Sequence, residues 1–340
     1  MPISRYSRLS RVIATALLAA ALASCSMPSP PEPPMVVQRE PGLQEDRVVM
    51  NDGFELPLHR WQAEGDTRAV VLALHGFNDY HKAFADVGPY LAERGITTYA
   101  YDQRGFGATA NRGDWAGTAR MTQDARDILE LLREAHPEVP VYLMGESMGG
   151  AVSLAAVTAD SESIVDGVVL VAPAVWARKT MPWYQRWALA VAEVVAPEWK
   201  PSGRGIKRHP SDNIEMLRAY SRDPLVIKQT RIDAVAGLAD LMDVALASVP
   251  KLNVPALVLY GENDDIVPKN PTCRMLQNLP QHTDWRLGLY PKGYHMLTRD
   301  LNGDLVKQDI AGWILQPNAP LASGLQADQA RWGESVCQQA

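Results

Sequence analysis

The chain has 340 residues, a net charge of −6, 46% hydrophobic residues and 21% charged ones. That size suits one large α/β domain with an insertion, or two small domains, and the apolar share supports a real core. The acidic balance argues against a nucleic-acid or polyphosphate partner, which needs a basic face. Beyond the N-terminal region no apolar run is long enough to cross a bilayer, so no transmembrane span is expected in the body.

The first residues differ from the rest. Arg5, Arg8 and Arg11 form a basic region without a nearby acid, followed by an apolar run from Val12 to Ala23. That run is too short to cross a bilayer but suits a secretory signal. It ends in Leu22, Ala23, Ser24 and Cys25, which resembles the lipobox of bacterial lipoproteins. In that family the cysteine is acylated and the leader, here 1–24, is cut before it. Several acyl chains anchor stably where one does not. The resemblance implies a lipid anchor at Cys25 in a bacterial cell envelope. Ser26, in place of Asp, points by family habit to the outer membrane, facing the periplasm. Ala21, Leu22 and Ala23 also read as an ordinary A-x-A cleavage site, which would release a soluble protein. Next, "SMPSPPEPPM" (26–35) reads as a polyproline-type spacer inside a linker over 25–45.

From 46 to 316 strand-like and helical runs alternate. "RVVM", Asn51–Gly53 and "FELPLHRW" predict an antiparallel hairpin around an Asx-Gly turn. Apolar β-rich runs follow at 69–75, 96–102, 139–145, 166–173, 254–261 and 284–291. Between them lie helical candidates at 81–94, 119–135, 148–159, 270–279 and 303–316. Near-continuous apolar strands separated by helices predict a mostly parallel, doubly wound α/β sheet.

One stretch, about 174–250, lacks strands and reads as a helical cap inserted after the strand at about 166–172. It holds Trp176, Trp183, Trp187 and Trp199. "PWYQRWALAVAEVVAP" is helical with an apolar stripe, Ser211 or Asp212 is placed to cap a second helix through Tyr220, and a third covers 230–248. A tryptophan stripe at helical spacing serves packing more often than substrate contact. Cys273 and Cys337 either pair in an oxidising periplasm or stay free, and their spacing does not decide. The tail from 317 to 340 carries no clear element.

The chemistry centres on "VYLMGESMGGA" (141–151), which contains one G-x-S-x-G around Ser147. Ser147 follows a predicted strand and precedes a predicted helix, the setting of a nucleophile elbow. A serine hydroxyl is a poor nucleophile without an oriented base. In this arrangement the acid and then the histidine follow the serine in the chain, each after a late strand. His295, just past the last long strand and before the last helix, is the best-placed base among seven histidines. For the acid, "YGENDDIVP" offers Glu262, Asp264 and Asp265; the position three residues past the turn glycine selects Asp264, with Asp265 the main rival. An oxyanion needs N–H donors. Met148, directly after the nucleophile, and Phe77, in the loop after the first parallel strand, are placed to supply them. His75 then shapes that loop and takes no part in the chemistry. No zinc-type Cys/His spacing occurs, and "RGFGATANRG" lacks the strand-to-helix setting of a dinucleotide loop, so no cofactor and no metal are implied.

With these residues in place, the chain from 46 to 316 resembles the monoacylglycerol lipase/lysophospholipase branch of the α/β-hydrolases, grouped with serine aminopeptidase-like hydrolases. The resemblance rests on "LHGFNDY" (74–80), "YDQRGFGAT" (101–109), "GESMGGA" (145–151), "DPLV" (223–226), "GENDDIVP" (261–268) and "GYHML" (293–297), in that order. It implies Ser147, Asp264 and His295 as a triad, Phe77 and Met148 as oxyanion donors, and cleavage of acyl esters such as monoacylglycerols or lysophospholipids. The lipidated N-terminus and proline leash are not general in the family, and the cap is its least constrained part. Two other functions remain open. One is peptidase or amidase chemistry, in which an acid near the cap, such as Glu193 or Glu198, would hold a substrate amine. The other is a non-catalytic envelope lipoprotein.

Overall fold

The computed structural model describes residues 40–201 and 208–338. The leader, Cys25 and the proline-rich stretch lie outside the described residues.

Strands β1 (Gly42–Leu43) and β2 (Arg47–Val49) pair antiparallel, and β2 turns into β3 (Glu55–Trp61). The turn is closed by Asp52, whose carboxylate accepts the Phe54 N–H at 3.0 Å, an Asx turn as expected. Then come β4 (Ala69–Leu74), β5 (Ile96–Tyr101), β6 (Val141–Glu146), β7 (Gly167–Val171), β8 (Ala256–Gly261), β9 (Trp285–Tyr290) and β10 (Gln326–Ala327). The sheet order is β1-β2-β3-β5-β4-β6-β7-β8-β9-β10. From β5 across to β9 all neighbours are parallel, while β3 and β10 join antiparallel at either side.

Every residue of β4 through β8 is buried, which explains runs without polar alternation. Val70, Leu72 and Leu74 enter one apolar layer, and Val71 and Ala73 the other. Helices Thr118–Ala135, Met148–Val157 and Lys269–Asn278 cover the first face. Val87–Ala92 and Gly303–Leu315 cover the second. Because β4 lies between β5 and β6, the winding reverses there, and the loops after β4 and β6 border a crevice at the strands' carboxyl ends. Ligands bind at such a switch point in open α/β sheets.

The expected helix over 81–94 is a short 3-10 turn, His81–Phe84, and a separate helix, Val87–Ala92. Pro89 has no N–H to donate and is tolerated only in a first turn, so one continuous helix cannot run through it. In the cap, helices Trp183–Val195, Ile214–Arg222 and Ile232–Ser248 match the expected three. The capping residue differs: Asn213 accepts the Met216 N–H at 3.1 Å. Ser211 instead donates to Asp300 at 2.6 Å, and Asp212 accepts the Leu301 N–H at 2.8 Å. Both tie the cap to the segment that follows His295.

The tail is structured through residue 338. β10 pairs with β9, Trp332 and Val336 are buried, and Cys337 is disulfide-bonded to Cys273 across 64 positions. Closing a loop of that length restricts the unfolded chain. Cys337→Ser is therefore expected to destabilise the domain by about 2–5 kcal/mol, read as a lower urea midpoint. An unchanged midpoint would show that the tail packs equally well without the bond.

Candidate active site

Ser147 sits between β6 and helix Met148–Val157 with φ 54° and ψ −114°, a left-handed conformation that costs energy for any residue with a Cβ. Its surroundings impose it. The Ser147 N–H donates to Val171 O and its carbonyl accepts the Ala174 N–H, both at 2.9 Å, pinning the turn to β7 and the segment after it. A Cβ on Gly145 would lie 2.3 Å from the Gly149 backbone, and one on Gly149 would lie 2.0 Å from Leu74 O. Only glycines allow strand, turn and helix to approach this closely, as the nucleophile elbow requires.

His295 is buried in the loop after β9, and Asp264 in the loop after β8. His295 Nδ1 donates to Asp264 Oδ2 at 2.8 Å, leaving Nε2 to accept from the Ser147 hydroxyl at 2.9 Å. Asp264 is itself oriented, because its Oδ1 accepts the N–H groups of Ile266 and Val267 at 2.8 and 3.0 Å. The rival Asp265 faces elsewhere and accepts the His209 N–H. Burial disfavours an imidazolium at His295, but the Asp264 carboxylate, with Glu146 nearby, outweighs it and raises the pKa above its ordinary value. This chain of bonds can move a proton from the serine to the histidine and back.

The loop after β4 reaches the same point. A Cβ on Gly76 would be 3.4 Å from Ser147 Cβ, and Phe77 is held by edge contacts with Phe106 and Trp115 at 5.6 and 6.3 Å. Met148 opens its helix, so its N–H has no acceptor within it. Phe77 thus lies in the loop that meets the Ser147 turn and lines the same cavity, and Met148 follows Ser147 directly with its N–H outside the helix's own bonding. His75, at the start of the loop after β4, is fully buried. Its Nδ1 bonds Gly76 O at 2.8 Å and its Nε2 accepts the Gln103 N–H at 3.0 Å. Burial lowers its pKa and keeps it neutral, a loop-shaping role.

Above Ser147 lies a cavity of about 390 Å³, lined on the cap side by Trp176, Met181, Leu189, Leu238 and Met242. That volume falls in the range of small-ligand sites, and its walls are mostly apolar. Of the four cap tryptophans only Trp176 lines it. The expectation that the others pack inside fails: Trp183, Trp187 and Trp199 are 72%, 68% and 60% exposed. An apolar stripe implies a partner surface, and the described chain offers none for that face. Glu193 and Glu198 are also exposed and do not line the cavity. Among the described residues no group of three or more His, Cys, Asp or Glu could hold a metal ion.

Sequence reasoning missed a cluster beside Ser147. Arg299 Nη1 donates to Asp79 Oδ2 at 2.8 Å and Nη2 to Glu146 Oε1 at 2.5 Å, all three being buried. The available signal was Glu146 itself, a charge at the end of an apolar strand, which requires a partner when buried.

A family model described as serine aminopeptidase, S33, matches residues 65–302. The chain belongs to this family. It is 27% identical over 275 residues to a monoacylglycerol lipase of Mycolicibacterium smegmatis, covering 77% of this chain and 94% of that protein. It is 25% identical to a monoglyceride lipase of Mus musculus, covering 88% of this chain and 99% of the relative. Among solved structures, a soluble variant of the Saccharomyces cerevisiae monoglyceride lipase in complex with a substrate analogue superposes with a TM-score of 0.67 at 20% identity, covering 86% of this chain and 100% of that one. The fold is the α/β-hydrolase fold.

The bonding at Asp264 and Asp265 separates the two acids. Asp264→Asn is expected to slow p-nitrophenyl butyrate turnover on the order of 10³–10⁴-fold. Asp265→Asn should leave it within about twofold, since Asp265 makes no bond to His295 and its partner is the His209 N–H. Equal losses in both variants would contradict the assignment.

Proposed function

We propose that this chain is a serine hydrolase of carboxylic esters, acting on monoacylglycerol- or lysophospholipid-type acyl esters through an acyl-enzyme on Ser147. The observation that carries it is the hydrogen-bonded line Ser147–His295–Asp264 opening into an apolar cavity of about 390 Å³. Ser147 Oγ attacks the ester carbonyl while His295 Nε2 takes its proton. Asp264 holds the imidazole and favours the imidazolium. The Phe77 and Met148 N–H groups receive the oxyanion, each worth about 2.7–4 kcal/mol. His295 then protonates the departing alcohol, and water, deprotonated by the same histidine, releases the carboxylic acid and frees Ser147. The relatives named as monoacylglycerol and monoglyceride lipases support the substrate class. Among the described residues no unengaged acid lines the cavity to hold a substrate amine: Glu193 and Glu198 lie outside, and Asp79 and Glu146 are committed to Arg299.

The working site in this proposal is a membrane surface reached through a lipid on Cys25. The lipobox-like leader supports it, as does the exposed apolar face of helix Trp183–Val195 carrying Trp183, Trp187 and Val194. A lipid layer is the partner that accepts such a face without a fixed shape.

Ser147→Ala is expected to lose at least about 10³-fold in turnover and all labelling by a fluorophosphonate probe, with unchanged melting. Retained turnover sinks the proposal. Because His295 must be neutral to act as base, kcat/KM should fall as pH drops through a pKa above the ordinary imidazole value of 6.5. In cells, Cys25→Ala should move the activity from the membrane fraction to the soluble one; an unchanged distribution would remove the anchor.

A further inference from the structure

Arg299 stands where three segments of the site meet. It ends the 3-10 turn Leu297–Arg299, four residues after His295. Asp79 belongs to the loop after β4, two residues past Phe77, and Glu146 directly precedes Ser147. Their side chains are only 7%, 4% and 2% exposed, and all three line the cavity. Asp79 also accepts the Tyr80 N–H at 2.9 Å, so the loop is fixed at its own carboxylate.

We propose that Arg299 is a positioning residue for the Ser147 reaction: bridging Asp79 and Glu146, it locks the oxyanion loop, the nucleophile elbow and the histidine loop into one geometry and offsets part of their charge beside His295. The proposal rests on the hydrolase function above. Two buried carboxylates against one guanidinium leave the cluster one negative charge in excess. Removing one partner of such a cluster strands a buried charge. The groups facing His295 from the elements packed around it are Asp264 after β8, Glu146 at the end of β6 and Arg299 on its own loop. Neighbouring acids are engaged elsewhere: Asp265 with His209, and Asp300 with Ser211 and the Tyr294 N–H. Glu146 favours the imidazolium and Arg299 opposes it, so their removal has opposite effects on the base.

The test is kcat and KM for p-nitrophenyl butyrate across pH, on the full chain and three variants, with melting curves for each. Glu146→Gln, which keeps an oxygen acceptor for Arg299, should move the acid limb of kcat/KM to lower pH. Arg299→Met should move it to higher pH. Arg299→Lys keeps the charge but loses the two-pronged fork. It should lower kcat by roughly tenfold to a hundredfold, as small misplacements of reacting groups do, with KM nearly constant and the limb in place. If Arg299→Met fails to fold, the Glu146→Gln and Arg299→Lys results decide. Folded variants with wild-type kcat and an unmoved acid limb would overturn the proposal. Wild-type chain without Ser147-dependent turnover would overturn the hydrolase function instead.

Discussion

The left-handed turn at Ser147 is the constraint from which the rest of the site follows. A side chain held at φ 54° between a buried strand and a helix cannot be reached by local preference, which costs of order 1–3 kcal/mol there. It exists because β4, β6 and β7 surround it, and because Gly145 and Gly149 let backbone pass where any Cβ would collide. The strain serves orientation. It lifts the hydroxyl off the sheet edge toward His295 and leaves the first N–H of the following helix open beside it. The reversal of winding at β4 then brings the Gly76–Phe77 loop to the same point, so one topological feature unites groups far apart in the chain.

Around this turn, charge is handled by pairing rather than by exposure. His295 is buried between Asp264 and the serine, and Asp264 is saturated by two backbone N–H groups and the imidazole. Glu146 and Asp79 share Arg299. Among the described residues the cap side of the cavity is mostly apolar, and the polar groups that line it, Ser147, His295, Tyr220 and the Arg299 cluster, lie on the catalytic side. That division suits a molecule with a long apolar arm and one polar bond to be cut. The cap contributes most of the apolar wall while Ser211 and Asp212 tie it to the histidine loop, so the cavity roof and the catalytic base share a support.

Much of this was legible in local sequence. The strand–turn–helix around Ser147, the six parallel strands and the three cap helices come from periodicity and glycine placement, which act over a few residues. What was not legible depends on distant partners. Position past the turn glycine selects Asp264, but its bonding partner His295 lies 31 residues on. Asn213 caps its helix because Ser211 and Asp212 are drawn to residues 300 and 301. The Arg299 bridge joins positions more than 150 residues apart. Trp183 and Trp187 face outward because the stripe in their helix meets no apolar surface among the described residues, and a stripe alone does not name its partner. The ordered tail depends on β9 and on Cys273, both remote from it.

The most direct test is the rate of hydrolysis of monoacylglycerols from short to long acyl chains, measured as released glycerol by the full chain. An apolar cavity opening on Ser147 predicts that kcat/KM climbs from acetyl to medium or long chains. Turnover confined to the shortest esters, or none on any monoacylglycerol, would contradict the claim that this cavity binds acyl chains.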